Sequence, residues 1–195
     1  MRSWILLSLV IGMLVGCSKE DAYDKIRKLE TEGKAVEAKQ LFESFLAENE
    51  DKALERSYIQ FLFDNKFYLD FNREANRYLL QNPNDLTIKN LNFRYYAILA
   101  ENAERQGDYD QALTYIVNNL LSRDYEDHQY WELQQSNVLR KWYAQEKSKE
   151  ENTIGKKYVM SQMISLGLEN LAKSLDPELY EAMNLNPATE EFQKK

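Results

Sequence analysis

From residue 22 onward, apolar positions recur at alternating spacings of three and four, the period of a helix with one buried face. Ile26 and Leu29 mark a first helix running to about Glu32, where Gly33-Lys34 breaks the pattern. Ala38, Leu41, Phe42 and Phe45 restore it to about Asn49. A third helix carries Leu54, Tyr58, Phe61 and Leu62, and the polar triplet Asp64-Asn65-Lys66 turns it into a fourth with Phe71, Ala75, Tyr78 and Leu79. Asn82-Pro83-Asn84-Asp85 is a stop signal, and Asp85 is placed to cap the next helix. Leu86 to Gln106 then predicts a long helix, Gly107-Asp108 a turn, and Tyr109 to Leu121 an antiparallel partner. Another long helix spans about His128 to Lys147 with Trp131, Val138 and Trp142. A single further helix places Ile164, Leu168, Leu171 and Leu175 on one face and ends at Asp176-Pro177. A short helix and a polar tail from Ala188 to Lys195 close the chain.

Composition supports this all-α reading. Only three prolines and six glycines punctuate 195 residues, which argues for long helices over a sheet. The expected organisation is a leader over 1–16, a tether over 17–21, one helical domain over 22–187 and a tail over 188–195.

The leader has its own pattern. Arg2 is the one charge among the first sixteen residues, and an apolar run from Trp4 to Val15 comes after it, interrupted by Ser8 and Gly12. That is short for a bilayer span, which takes about 20 apolar residues, but has the proportions of a secretory signal. Leu14-Val15-Gly16-Cys17, holding the sole cysteine, resembles the lipobox of bacterial lipoproteins. The resemblance implies cleavage before Cys17, a diacylglycerol thioether on its thiol and an N-acyl chain on the new amino end. Ser18, where the family's inner-membrane retention signal is typically aspartate, points to an outer membrane facing the periplasm. Without the leader the chain carries 24 basic and 32 acidic side chains, a net charge of −8. Nucleic acid and anionic headgroups are therefore poor partners, and membrane attachment is expected through lipid alone.

Gly33 and Gly107 lie 74 residues apart, near two units of a helix–turn–helix repeat of about 34 residues. The segment Gln106-Gly107-Asp108-Tyr109-Asp110-Gln111-Ala112-Leu113, with Tyr96, Leu99, Ala100 and Ala103 upstream, is similar to the tetratricopeptide family. Gly33, Ala38 and Phe42 form a fainter earlier copy. Ala103 departs from the family's usual aromatic, Asp64-Asn65-Lys66 replaces a turn glycine, and no alanine stands at the expected place after it. The match is strongest over 93–121. It implies antiparallel helix pairs stacked as a right-handed α-solenoid, with a concave face that holds an extended or helical segment of a partner protein. Carried over residue by residue, the groove would be lined by Arg94, Ala97, Glu101, Glu104 and Arg105. A generic helical bundle is the competing architecture.

Chemistry adds little. His128 is the sole histidine, no thiol remains beyond Cys17, and no zinc site of familiar composition is available. No phosphate loop or nucleophile elbow occurs, so neither a metal nor a cofactor is expected beyond the acyl chains. Glu101 and Glu104 are spaced as a carboxylate pair, but such pairs are ordinary on a solvated helix face, where Glu101 is placed to pair with Arg105 one turn on, and they do not support catalysis. The aromatics exceed what one helix face can bury: Phe61 with Phe63, and Trp142 with Tyr143, stand on different faces. The surplus is expected either to line a ligand groove or to pack where a helix is covered on two sides. The expectation is a non-enzymatic, lipid-anchored interaction scaffold in envelope assembly or secretion. A passive structural lipoprotein is the alternative, and a glycan-acting enzyme a more distant one.

Overall fold

The computed structural model describes residues 19–122, 127–149 and 152–184. Cys17, the leader and the polar tail lie outside the described residues. The described chain is helical, with no strand. The helices are α1 (Lys19–Thr31), α2 (Ala35–Glu48), α3 (Lys52–Asp64), α4 (Tyr68–Gln81), α5 (Leu86–Gln106) and α6 (Tyr109–Tyr115), which widens into a π-helical turn (Ile116–Leu120). Then come α7 (His128–Ser148), α8 (Thr153–Ser165), α9 (Glu169–Leu175) and α10 (Pro177–Asn184). Two compact units divide within α5, one ending at Asn92 and one beginning at Phe93.

One turn recurs four times, and it organises both units. At Gly33 the chain takes φ +70°; the Gly33 N–H bonds the Glu30 carbonyl at 3.0 Å and the Lys34 N–H bonds the Leu29 carbonyl at 2.9 Å. This pair of bonds satisfies the last carbonyls of α1 and reverses the chain. Gly107 repeats it at φ +76° and Gly167 at φ +74°. Lys66 repeats it too, at φ +61°, with the Phe67 N–H bonding the Leu62 carbonyl at 2.9 Å. Five residues beyond each turn stand Ala38, Phe71, Ala112 and Ala172, all with no exposed surface. Three of these four are alanine, whose small side chain permits a close helix crossing, and at the fourth Phe71 packs on Phe63 instead.

The Gly167 turn corrects one expectation. The single helix predicted to end at Asp176-Pro177 is two, α8 and α9. Ile164, Leu168, Leu171 and Leu175 keep a helical spacing straight through the turn, so periodicity alone does not reveal it. Gly167 carries the break.

In the first unit, α1 packs on α2, α2 on α3 and α3 on α4. Because α3 is covered on two sides, Phe61 and Phe63 are both core. Phe61 lies 5.1 Å from the ring of Phe42 on α2, and Phe63 lies 5.1 Å from Phe71 on α4. Fully burying each such side chain stabilises by about 1.5–3 kcal/mol. Polar ties cross the same helices: Lys39 on α2 reaches Asp70 on α4 at 3.1 Å, and Arg77 on α4 reaches Glu55 on α3 at 3.0 Å. The Tyr58 hydroxyl donates to Glu43 at 2.8 Å. Asp85 caps α5, accepting from the Thr87 and Ile88 N–H groups at 3.0 and 3.2 Å.

In the second unit α7 is central, packed by α6, the π turn and α8. That arrangement buries Trp142 and Tyr143 together. Trp142 meets Tyr158 of α8 edge-on at 5.5 Å, and the Tyr143 hydroxyl donates to Asp176 at 2.5 Å. Phe63, Trp142 and Tyr143 are therefore core. α9 and α10 pack on α8, closing the cluster with Leu171, Ala172 and Tyr180.

Candidate functional site

The second unit carries an open cleft of about 650 Å³ between the end of α5, the start of α6 and one side of α7. Three of the five expected groove residues, Glu101, Glu104 and Arg105, line it. They do so because positions three and four apart share a helix face. Arg94 is exposed on α5 and Ala97 is half-buried against the unit's core, both away from the cleft lining.

Sequence reasoning missed the opposite wall, which comes from α7. Tyr130 is 48% exposed there, beside the buried Trp131, with their rings edge-on at 5.0 Å. Gln134 and Lys141 continue that wall, and Ala100, Tyr109 and Ile116 complete the lining. The Lys141 ammonium sits 2.6 Å from Glu104, and this hydrogen bond raises the lysine above its ordinary value. Arg105 is held by neutral groups: its Nε donates to the Glu101 carbonyl at 3.3 Å, and its guanidinium donates to Asn102. The expected Glu101–Arg105 ion pair is thus replaced by a bond to the Glu101 backbone. Among the described residues the Glu101 carboxylate has no ion-pair partner.

The first unit carries a smaller cleft, of about 300 Å³, between α1 and α3. Tyr23, Ile26, Arg27 and Glu30 line one side and Ser57, Gln60, Phe61 and Asp64 the other, with Phe42 beneath. Ile26, Arg27 and Glu30 stand seven, six and three residues before Gly33. Ala100, Glu101 and Glu104 stand at the same offsets before Gly107. The two clefts therefore open on the same register of the helix that precedes each turn. That signal was available in the sequence, since the offsets of Glu101 and Glu104 applied to Gly33 give Arg27 and Glu30.

His128 begins α7, 45% exposed by side chain and 3.5 Å from Glu132. No group of three or more metal-binding side chains occurs among the described residues. No described helix is long and apolar enough to cross a membrane. The chain matches no family model, no curated protein and no solved structure.

Proposed function

We propose that the protein is a lipid-anchored scaffold whose helix pairs, in a tetratricopeptide-like arrangement, bind a segment of another envelope protein along these clefts. The observation that carries this reading is the shared register of the two clefts ahead of equivalent turns. A repeat that reuses one helix face for binding produces that recurrence. The clefts set aromatic side chains beside charged ones, Arg27, Glu30 and Asp64 in the first and Glu101, Glu104, Arg105 and Lys141 in the second, so rings that anchor a bound segment and charges that set its register stand together. Lipid on Cys17 would supply the membrane attachment, since two or three acyl chains at about 0.8 kcal/mol per buried methylene hold a protein stably at a bilayer. In this reading the molecule positions a partner in an assembly or secretion machine at an outer membrane and performs no chemistry.

Crosslinking in cells followed by mass spectrometry tests both halves of this proposal. The chain with Glu101→Lys and Arg105→Glu should lose a stoichiometric envelope protein that the unmodified chain captures. Cys17→Ser should leave an uncleaved, unlipidated precursor. An unchanged catch from the charge variant would remove the binding role, leaving a structural lipoprotein. Normal maturation of the Cys17→Ser chain would remove the anchor.

A further inference from the structure

The two clefts differ in one respect that specifies an occupant. In the second unit the helix facing Glu104 supplies a cation, Lys141, at 2.6 Å. In the first unit the corresponding Glu30 is faced instead by Asp64, a second carboxylate from α3. Among the described residues neither Glu30 nor Asp64 makes an ion pair. Glu30 lies in the last turn of α1 and Asp64 is the last residue of α3. The negative end of each helix dipole therefore opposes the charge it carries. Burial, and then the like charge of Asp64, raise the Glu30 carboxyl from its ordinary value, with Arg27 offsetting part of the effect. A cation placed between the two carboxylates relieves the repulsion and both dipole terms. Behind them lie Ile26 and Phe61, buried, and Tyr23, half-buried. This apolar floor suits the methylene stem of a long basic side chain, which packs its carbons while its charge meets the rim.

We propose that the cleft between α1 and α3 takes up a lysine or arginine side chain from a segment of a partner protein, with its cation between Glu30 and Asp64 and its alkyl stem against Tyr23 and Phe61. The inference rests on reading the clefts as peptide-binding, and it adds the chemistry of the bound segment. Lys141 on Glu104 is the internal precedent: at this register a glutamate holds an ammonium. The acidic balance of the chain, 32 carboxylates against 25 bases, favours the approach of such a segment over long range.

A random peptide library displayed on phage and selected on the full chain in detergent micelles tests this. Two variants serve as counter-targets: Glu30→Gln with Asp64→Asn, which removes the charge, and Ser57→Trp, which fills the cleft. All three substituted positions are exposed, and equal helical circular dichroism verifies that each variant is folded. The expected outcome is a set of peptides lost on Ser57→Trp that share a Lys or Arg beside apolar residues. Their enrichment should fall roughly tenfold on the charge-neutral variant, the loss expected when charge-assisted bonds to two partly exposed carboxylates are removed. Cleft-dependent peptides that lack a basic residue, or ignore the charge-neutral variant, would overturn the cation proposal and leave peptide binding intact. If no peptide responds to Ser57→Trp, the first cleft binds no peptide and both ideas fail there.

Discussion

Lys66 occupies, at φ +61°, the backbone conformation that glycine takes at three other turns. A side chain there costs about 1–2 kcal/mol in left-handed strain, while glycine's greater unfolded freedom returns about 0.5–1 kcal/mol of that. Lys66→Gly should therefore stabilise the protein by about 0.5–1 kcal/mol, seen as a higher urea midpoint at unchanged slope. A lower midpoint would mean that the lysine makes a compensating contact. Gly155 is the opposite case. A Cβ there would lie 2.5 Å from Asn152 Nδ2 and closer still to Glu146 Oε2. Both are side-chain ends, but the buried Glu146 is held by Lys149 at 2.7 Å and by the Asn152 amide, and Asn152 caps α8 through the Gly155 N–H, so either yields only by giving up those bonds. Alanine usually gains about 1 kcal/mol over glycine inside a helix, but overpacking of this kind costs about 1–3 kcal/mol. Gly155→Ala should lower stability by about 1–2 kcal/mol in the same titration, and a gain would contradict the close approach. The turn at Gly33 is legible from the residue itself. Lys66 is legible only as a polar triplet, and the Gly155 contact joins two helices in space without leaving a local pattern.

Among elements, the junction of α7 with α10 gives a pH-dependent test. The Tyr143 hydroxyl donates to Asp176, which also accepts from the Leu179 N–H at 3.0 Å. The tyrosine bond, then the backbone bond, hold the Asp176 carboxyl below its ordinary value. A depressed folded value stabilises above the unfolded pKa, near 3.9, and this contribution is lost as pH falls through the folded value. Tyr143→Phe should cost about 1–2 kcal/mol at pH 7, with the gap from the unmodified chain narrowing below about pH 4. A gap that stays constant down to pH 3 would assign the loss to packing alone. The helices themselves were largely legible: α5 falls on Leu86–Gln106 as periodicity and capping predict, because amphipathic spacing and Asp85 act locally. The division of α8 from α9 was hidden, because the turn preserves the apolar spacing on either side of it. The two-sided covering of α3 and α7 decided the fate of the surplus aromatics. That depends on neighbours that a single helix pattern does not encode.

At the scale of the whole molecule, the all-helical class was readable from sparse glycine and proline and a sustained three-four period. The candidate site was half readable. Glu101, Glu104 and Arg105 come from one helix face, whereas Tyr130, Gln134 and Lys141 reach the cleft from a helix about thirty residues further on. The first-unit cleft was written in the same register but needs Gly33 and Gly107 to be treated as equivalent points. In the proposed function this shared register is one binding face used twice. Photocrosslinking from benzoylphenylalanine at Gln60 in the first cleft and at Gln134 in the second, with Leu80 on α4 as control, tests it most directly; Leu80 is 85% exposed and outside both clefts. If one face is used twice, the same envelope protein is captured in cells from Gln60 and Gln134 and not from Leu80. Capture from neither cleft, or equal capture from all three positions, would contradict it.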